Sequence, residues 1–536
     1  MKKQIILTAA MWLSAMTASS QWNPDLGDGT YRNPIIYADY ADPDVIRVGD
    51  DYWMVSSSFT SFPGIPVLHS RDLVNWEIVG HVYDRLPNGK YDRPQHGEGS
   101  WAPAIRYHDG MYYVYFCTPY DGLYVARATA PRGPWELTQM LEVAKWEDPC
   151  PFWDDNGDAY LVHSIHRGGP AVLHRMSPDG LRLLDNGVVV YHDGKANPVL
   201  EGMKMDKYNG WYYIFAPAGG VSTGWQTVLR SRSPYGPYEA RKVMAQGPTD
   251  INGPHQGGLV DTPDGKDWWF INFQSNGAYG RVAHLQPARW TDDGWIVIGE
   301  DPDGDGIGQP VHTYTKPHIV STDGKPYVGK PCVPQTSDDF SDTVPGLQWQ
   351  WQAHPRQEWY SLTARPGFMR LYAENCASEY GNLYFAGNLY LQKIPAPTFT
   401  ATTYIETTFT TPGERAGLTI FGNEYSYIAI IRGDDGSYRI SVVTGKNDKY
   451  AVKPTERASV NIPSGNAWLR VSLDSPTECS YYYSLDGKEF TKLGPVCNVV
   501  AGTWVGAKTG IFCSSPNVVT SSGYADFDHF TISTED

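Results

Sequence analysis

The sequence has 536 residues, 13% of them aromatic, with 54 Gly, 40 Pro and a formal charge of −16. That length suffices for two or three domains with substantial cores, and the aromatics and turn formers favour many short strands over long helices. No Lys/Arg cluster offsets the negative charge, which excludes nucleic acid and anionic lipid as partners and favours a neutral ligand.

At the N-terminus, Met1-Lys2-Lys3, a mostly apolar run from Ile5 to Met16 and Ala18-Ser19-Ser20 supply the charged, apolar and small-residue parts of a secretory signal, with cleavage expected after about Ser20. The run is too short to span a bilayer, no later segment is long enough, and no Cys follows it to accept a lipid. Export to the periplasm or beyond, without membrane insertion, is the expectation.

From Asp42 to Phe270 a short phrase recurs five times, headed by Asp42, Trp101, Asp148, Glu201 and His255. Each copy runs into a turn pair, Asp50-Asp51, Asp109-Gly110, Asn156-Gly157, Asn209-Gly210 or Asp264-Gly265, and then into an aromatic strand. The heads are spaced by 59, 47, 53 and 54 residues, room for one four-stranded unit each and the period of a propeller blade. A second repeat marks the outer half of the blades: Val67-Leu68-His69-Ser70 before Trp76, Tyr124-Val125-Ala126-Arg127 before Trp135, Val228-Leu229-Arg230-Ser231 before Tyr238, and Arg281-Val282-Ala283-His284 before Trp295. The fold class is therefore all-β, with a five-bladed β-propeller expected over residues 21–315.

The repeat stops after Ile298, where the Asp/Gly run from Asp301 to Gln309 reads as an acidic turn; no Glu closes it at the spacing of a calcium loop. A linker is expected over 316–336. From Ser337 onward, alternating strands such as Ala401 to Thr408, Tyr425 to Ile431 and Trp468 to Leu473 predict a jelly-roll or concanavalin-like β-sandwich over 337–536, with Ala525 to Phe530 as its closing strand. The seven Cys are odd in number and lack CxxC spacing, which indicates neither a zinc site nor a disulfide framework. Cys479 and Cys497 lie where neighbouring strands could bridge, but core burial is the preferred reading.

Innermost propeller strands line a central channel, so the five heads should converge there as three carboxylates (Asp42, Asp148, Glu201), an indole and an imidazole. Glycoside hydrolysis with inversion needs one carboxylic acid to protonate the leaving oxygen and one carboxylate to deprotonate water on the opposite face. A further carboxylate nearby raises the acid's pKa by like-charge repulsion. Asp39, three residues before Asp42, is a rival base. His255 is open to three readings: a satisfied core histidine, a sugar-binding donor, or a metal ligand. With no second His or Cys at metal spacing, a cation there would be wrapped mostly in water. Arg281, after the turn Gly277-Ala278-Tyr279-Gly280, would reach a sugar hydroxyl or a neighbouring carboxylate, or be a surface strand residue. Phe62 and Trp101 offer aromatic faces for a sugar.

Together Asn33-Pro34, Ala41-Asp42-Pro43-Asp44, Phe62-Pro63-Gly64, Trp101-Ala102-Pro103, Asp148-Pro149, Glu201-Gly202, Gly253-Pro254-His255-Gln256 and Gly280-Arg281 resemble glycoside hydrolase family 43, over about residues 30–310. The resemblance implies a five-bladed propeller with a lectin-like C-terminal domain whose loop closes the pocket. It implies an inverting, metal-independent, exo-acting hydrolase, with Asp42 as general base, Glu201 as general acid and Asp148 orienting the acid and tuning its pKa. It further implies Phe62 and Trp101 lining the −1 subsite, Arg281 on the terminal sugar, and a water-ligated structural calcium or other cation near His255. The substrate implied is a plant cell-wall polysaccharide or oligosaccharide. Ala218-Gly219-Gly220-Val221 stands where many β-xylosidases of the family carry Glu-Gly-Gly-Thr, which tilts the expected activity toward α-L-arabinofuranosidase, with β-xylosidase or dual specificity as the alternative. A propeller that only binds glycan would not require all three carboxylates. A retaining transferase is the remaining chemical alternative.

Overall fold

The computed structural model describes residues 22–375, 378, 380–447, 453–516 and 522–534. The expected leader and Cys376 lie outside the described residues. No helix among them is long and apolar enough to cross a membrane.

Five antiparallel sheets form the propeller. Their first three strands are Asp44–Val48, Asp51–Val55 and Gly64–Ser70 in blade one; Trp101–His108, Met111–Thr118 and Gly122–Ala128 in blade two; Trp146–Trp153, Ala159–Ile165 and Ala171–Met176 in blade three; Lys204–Tyr208, Trp211–Phe215 and Gln226–Ser231 in blade four; and His255–Asp261, Trp268–Ser275 and Arg281–Trp290 in blade five. Outer strands Glu77–Tyr83, Glu136–Leu141, Val188–Tyr191 and Glu239–Met244 complete blades one to four. In blade five the third strand pairs at one end with Ile296–Ile298 and at the other with Ile36–Asp39, so the start of the chain closes the ring. The hairpins use the expected residues: Asp109 and Gly110 (φ 48° and 80°) and Asn209 and Gly210 (φ 48° and 71°) take the paired positive φ that matches strand twist in a two-residue turn.

The inner strands bulge as they enter the funnel. Pairing registers shift between Trp101 and Ala104, between Glu147 and Cys150, and between His255 and Gly257. At the same level in every blade one residue adopts left-handed backbone: Asp42 (φ 51°), Ala102 (36°), Asp148 (57°), Gly202 (65°) and Gln256 (53°). These five are the equivalent positions, and Trp101, Glu147, Glu201 and His255 each precede one. This corrects the expected register, which aligns Asp42 and Asp148 with Trp101, Glu201 and His255 themselves. A bulge adds a residue without altering the surrounding phrase, so the heads seem aligned while two of them sit one place deeper. Such backbone costs about 1–3 kcal/mol per non-Gly residue and in blades two and three brings two successive residues, Trp101 with Ala102 and Glu147 with Asp148, to the funnel, where a straight strand would turn one.

The C-terminal domain is a sandwich of two sheets. One contains Arg415–Phe421, Glu424–Arg432, Tyr438–Lys446, Thr455–Ile462 and Lys508–Ser515; the other contains Phe399–Thr408, Asn466–Ser475, Glu478–Ser484 and Tyr524–Phe527. Their inner faces bury Leu418, Ile430, Leu469 and Phe527 completely. Cys479 faces Cys497 across an antiparallel pair, yet both are buried free thiols, as are Cys117, Cys150 and Cys513, and Cys332 is a partly buried one. Asp301 accepts backbone N–H bonds from Gly304, Asp305 and Gly306 at 2.8, 3.2 and 3.0 Å, which closes the Asp/Gly run as a turn.

The two domains share backbone pairing. Phe62 and Trp351 exchange N–H···O bonds at 3.0 and 2.6 Å, and Ala507 N–H donates to Ala278 O at 2.7 Å. Asp39 accepts from Arg281 N–H at 2.8 Å with one oxygen and from Gly506 N–H at 2.9 Å with the other. Gly506 passes so close to blade five that a Cβ would lie 2.6 Å from Tyr279 O. The loop from Gly502 to Gly506 is thereby anchored over the funnel.

Candidate active site

A cavity of about 410 Å³ opens at the bulged end of the inner strands. Four carboxylates line it: Asp42, Glu147, Asp148 and Glu201. Asp42, only 4% exposed, accepts from the Ser57 hydroxyl at 2.6 Å with one oxygen and pairs with the Arg281 guanidinium at 2.5 Å with the other. Both oxygens are therefore fixed in direction.

Asp148 accepts from Gly202 N–H at 2.5 Å and from the Ser164 hydroxyl at 3.4 Å. Gly202 is needed there: its φ of 65° and the 2.7 Å that would separate a Cβ from Pro217 Cγ leave no space for a side chain. Burial first, and the neighbouring Glu201 charge second, push the Asp148 carboxyl above its ordinary range. Burial, then Asp148 and Glu201, push Glu147 up likewise. Carboxyls this close titrate as a set, and the set retains a proton past the pH at which separate carboxyls have lost theirs.

Glu201 begins the fourth inner strand's approach, and its side chain is 17% exposed to the cleft. His255, wholly buried beneath it, places Nε2 3.7 Å from Glu201 Oε1. His255 Nδ1 lies 2.9 Å from the Gly253 carbonyl, an acceptor only, so Nδ1 donates there and Nε2 faces the Glu201 carboxyl.

Of the residues expected from sequence, Asp42, Trp101, Asp148, Glu201 and Arg281 meet at the cavity, and His255 lies directly under it. Phe62 does not reach it. Its pairing with Trp351 draws it into the domain interface, where it is fully buried against Tyr83, Tyr91 and His354. Phe59, three residues earlier, lines the cleft instead. Asp39 also stays outside, with both oxygens occupied by backbone N–H groups.

Three further residues escape sequence reasoning. Glu147 precedes Asp148, and strict strand alternation would turn it away; only the bulge brings both inward. His166 follows the second strand of blade three and sits 2.9 Å from the Glu147 carboxylate through Nδ1. Trp504 comes from the sandwich, so no propeller repeat announces it. Its ring meets Trp101 edge-on at 6.1 Å, and the Arg281 guanidinium lies 5.8 Å from its centre. With Phe59 and Trp101 it makes an aromatic enclosure, the usual surround of a sugar ring.

A propeller funnel with paired carboxylates, a guanidinium clamp and aromatic walls, capped by a second domain, defines a glycoside hydrolase. Residues 31–296 match the family model for glycosyl hydrolases family 43, and residues 337–533 match the β-xylosidase C-terminal concanavalin A-like domain. The chain is 44% identical to a putative β-xylosidase of Xylanibacter ruminicola, over 91% of this chain and 86% of that protein. It is 34% identical to a β-xylosidase of Formosa agariphila, over 96% and 92%. It is 28% identical to a non-reducing end α-L-arabinofuranosidase of Bacteroides ovatus, over 98% and 97%. The crystal structure of the family protein BlXynB from Bacillus licheniformis superposes with a TM-score of 0.80 at 25% identity, covering 94% of this chain and 99% of that one. The chain belongs to glycoside hydrolase family 43.

Proposed function

We propose that the protein is an exo-acting, inverting β-xylosidase that releases terminal xylose from xylan-derived oligosaccharides. The observation that carries the sugar is the naming of the 44% and 34% identical relatives, each aligned over most of its length, as β-xylosidases. This reverses the tilt toward arabinose taken from residues 218–221. Ala218 is itself buried at 1% exposure and does not line the cleft, and only Gly220 and Val221 of that stretch do.

In this reading Asp42 takes a proton from water as that water attacks the anomeric carbon. Glu201 gives its proton to the glycosidic oxygen on the opposite face, so the bond breaks without a charged leaving group and the anomeric configuration inverts. Asp148 orients the acid through the Gly202 segment and, with Glu147, disfavours a further negative charge beside it. Arg281 fixes Asp42 and reaches the terminal sugar. The cavity, capped by Trp504 of the second domain, supports exo action, and the leader-like N-terminus supports export. In this reading neither proton transfer passes through a metal. The buried, unpaired Nε2 of His255 suits one bond to a structural cation ligated otherwise by water.

A second reading, α-L-arabinofuranosidase, is favoured by the Bacteroides ovatus relative and by the apolar Val221 at the pocket. Initial rates on 4-nitrophenyl β-D-xylopyranoside and α-L-arabinofuranoside separate the two. Faster release from the xyloside supports the proposal, and preference for the arabinofuranoside overturns the sugar while leaving the chemistry.

A further inference from the structure

Protonation takes place at the glycosidic oxygen, so the leaving sugar lies on the Glu201 side of the cleft, while Asp42 and Arg281 form the opposite wall. On the Glu201 side the rim is the turn between Ala159–Ile165 and Ala171–Met176 of blade three. Its His166 and Arg167 both line the cavity. The turn is locked to the segment carrying the acid: a Cβ on Gly168 (φ 80°) would stand 2.2 Å from Cα of Val199, two residues before Glu201. His166 N–H is held as well, by Lys145 O at 2.7 Å.

Glu147 holds this rim in place, and the rim presents polar groups beyond those contacts. Glu147, 5% exposed, takes His166 Nδ1 at 2.9 Å. His166 Nε2 has no hydrogen-bond partner among the described residues, and Arg167 forms no ion pair among them. Trp101 stands beside the imidazole at 5.4 Å and adds an apolar face. With Nδ1 engaged by Glu147, Nε2 is the ring atom left for a ligand, and the Arg167 guanidinium on the same turn is a donor. Two polar side chains on one turn of the cavity suit the hydroxyls of a sugar ring, which both donate and accept.

We propose that His166 and Arg167 form the subsite for the leaving-group sugar, the +1 subsite, and that Glu147 is a positioning residue acting through His166. The proposal rests on the glycosidase reading of this same cleft and gives it a substrate class: glycosides whose leaving group is itself a sugar.

The test compares wild type with His166→Ala on two substrates that share the terminal sugar the wild type releases. One is the methyl glycoside, whose leaving group needs the acid's proton as a sugar does but is not a sugar, and the other is xylotriose or an arabinofuranosyl-xylotriose. On the oligosaccharide kcat/KM should fall about tenfold, and on the methyl glycoside it should stay within about twofold, because one substrate hydrogen bond is lost only where a +1 sugar is present. The ratio of the two should fall also in Glu147→Ala and recover in Glu147→Gln, whose amide can both donate to and accept from Nδ1. Equal losses on both substrates, or no loss on the oligosaccharide, would overturn the proposal. Wild-type preference between the two terminal sugars tests the sugar assignment separately, since it decides which substrate pair is used and not the variant's ratio.

Discussion

Asp39 and Asp42 are three residues apart and both buried, yet the structure gives them different tasks, and exchanging each for Asn separates those tasks. Asp39 accepts one backbone N–H from Arg281 and one from Gly506. An Asn there keeps a single oxygen and presents an NH₂ group to the other donor, whichever way the amide is turned. Hydrogen bonds to a charged acceptor contribute about 1.5–3 kcal/mol each, so losing one and weakening the other should cost about 2–4 kcal/mol of stability. The loop carrying Trp504 loosens with it, so KM should rise while kcat stays within about tenfold of wild type, since no proton-transfer group is removed. Asp42→Asn removes the group proposed to accept water's proton, and kcat should fall by about 10²–10⁴. Thermal melting and full rate curves on the aryl xyloside and arabinofuranoside, at one pH, measure both effects. A collapse of kcat in Asp39→Asn with near wild-type turnover in Asp42→Asn would refute the assignment of the base and the register of the first blade.

Glu201→Gln should lose about 10²–10⁴ in kcat on oligosaccharides and less on an aryl glycoside with an acidic leaving group, because only the poor leaving group needs the proton; equal losses on both would argue against Glu201 as the acid. Trp504→Ala should raise KM about tenfold with little change in kcat, as one aromatic wall worth about 0.5–1.5 kcal/mol beyond its area is removed from the sugar; steady-state kinetics on the aryl glycoside check this. The raised carboxyls of Glu147 and Asp148 also link stability to pH. An acid whose folded pKa exceeds its unfolded value contributes fully below the unfolded value and loses that contribution as pH rises through the folded one. The melting temperature should therefore decline as pH climbs from the ordinary carboxylate range past neutrality, and Asp148→Asn should flatten the decline. Exhaustive dialysis against EDTA should leave kcat unchanged, since neither proposed proton transfer passes through a metal.

The five-blade repeat was legible because turn pairs and aromatic strands recur at one period, and hairpin chemistry is local. The sandwich was legible for the same reason. What the sequence hid is what depends on a single inserted residue or on the other domain. Strand alternation hides Glu147, since neighbours in a straight strand face opposite ways, and only the left-handed backbone at Asp148 brings both inward. Phe62 and Phe59 are equally aromatic and three residues apart, and the long-range pairing of Phe62 with Trp351 decides which one meets the cleft. Trp504 has no local mark at all, being placed by Gly506 and Asp39 across the domain interface. Asp39 itself could be told from Asp42 only by its backbone partners.

The central claim is that Asp42 and Glu201 act from opposite faces of the scissile bond. It is tested most directly by ¹H NMR of the first sugar released by the wild-type enzyme from a β-xyloside, recorded before mutarotation. The account predicts that α-xylose is formed first and that the β-anomer grows in only afterwards. β-Xylose as the first product would mean retention through a covalent intermediate and would contradict it.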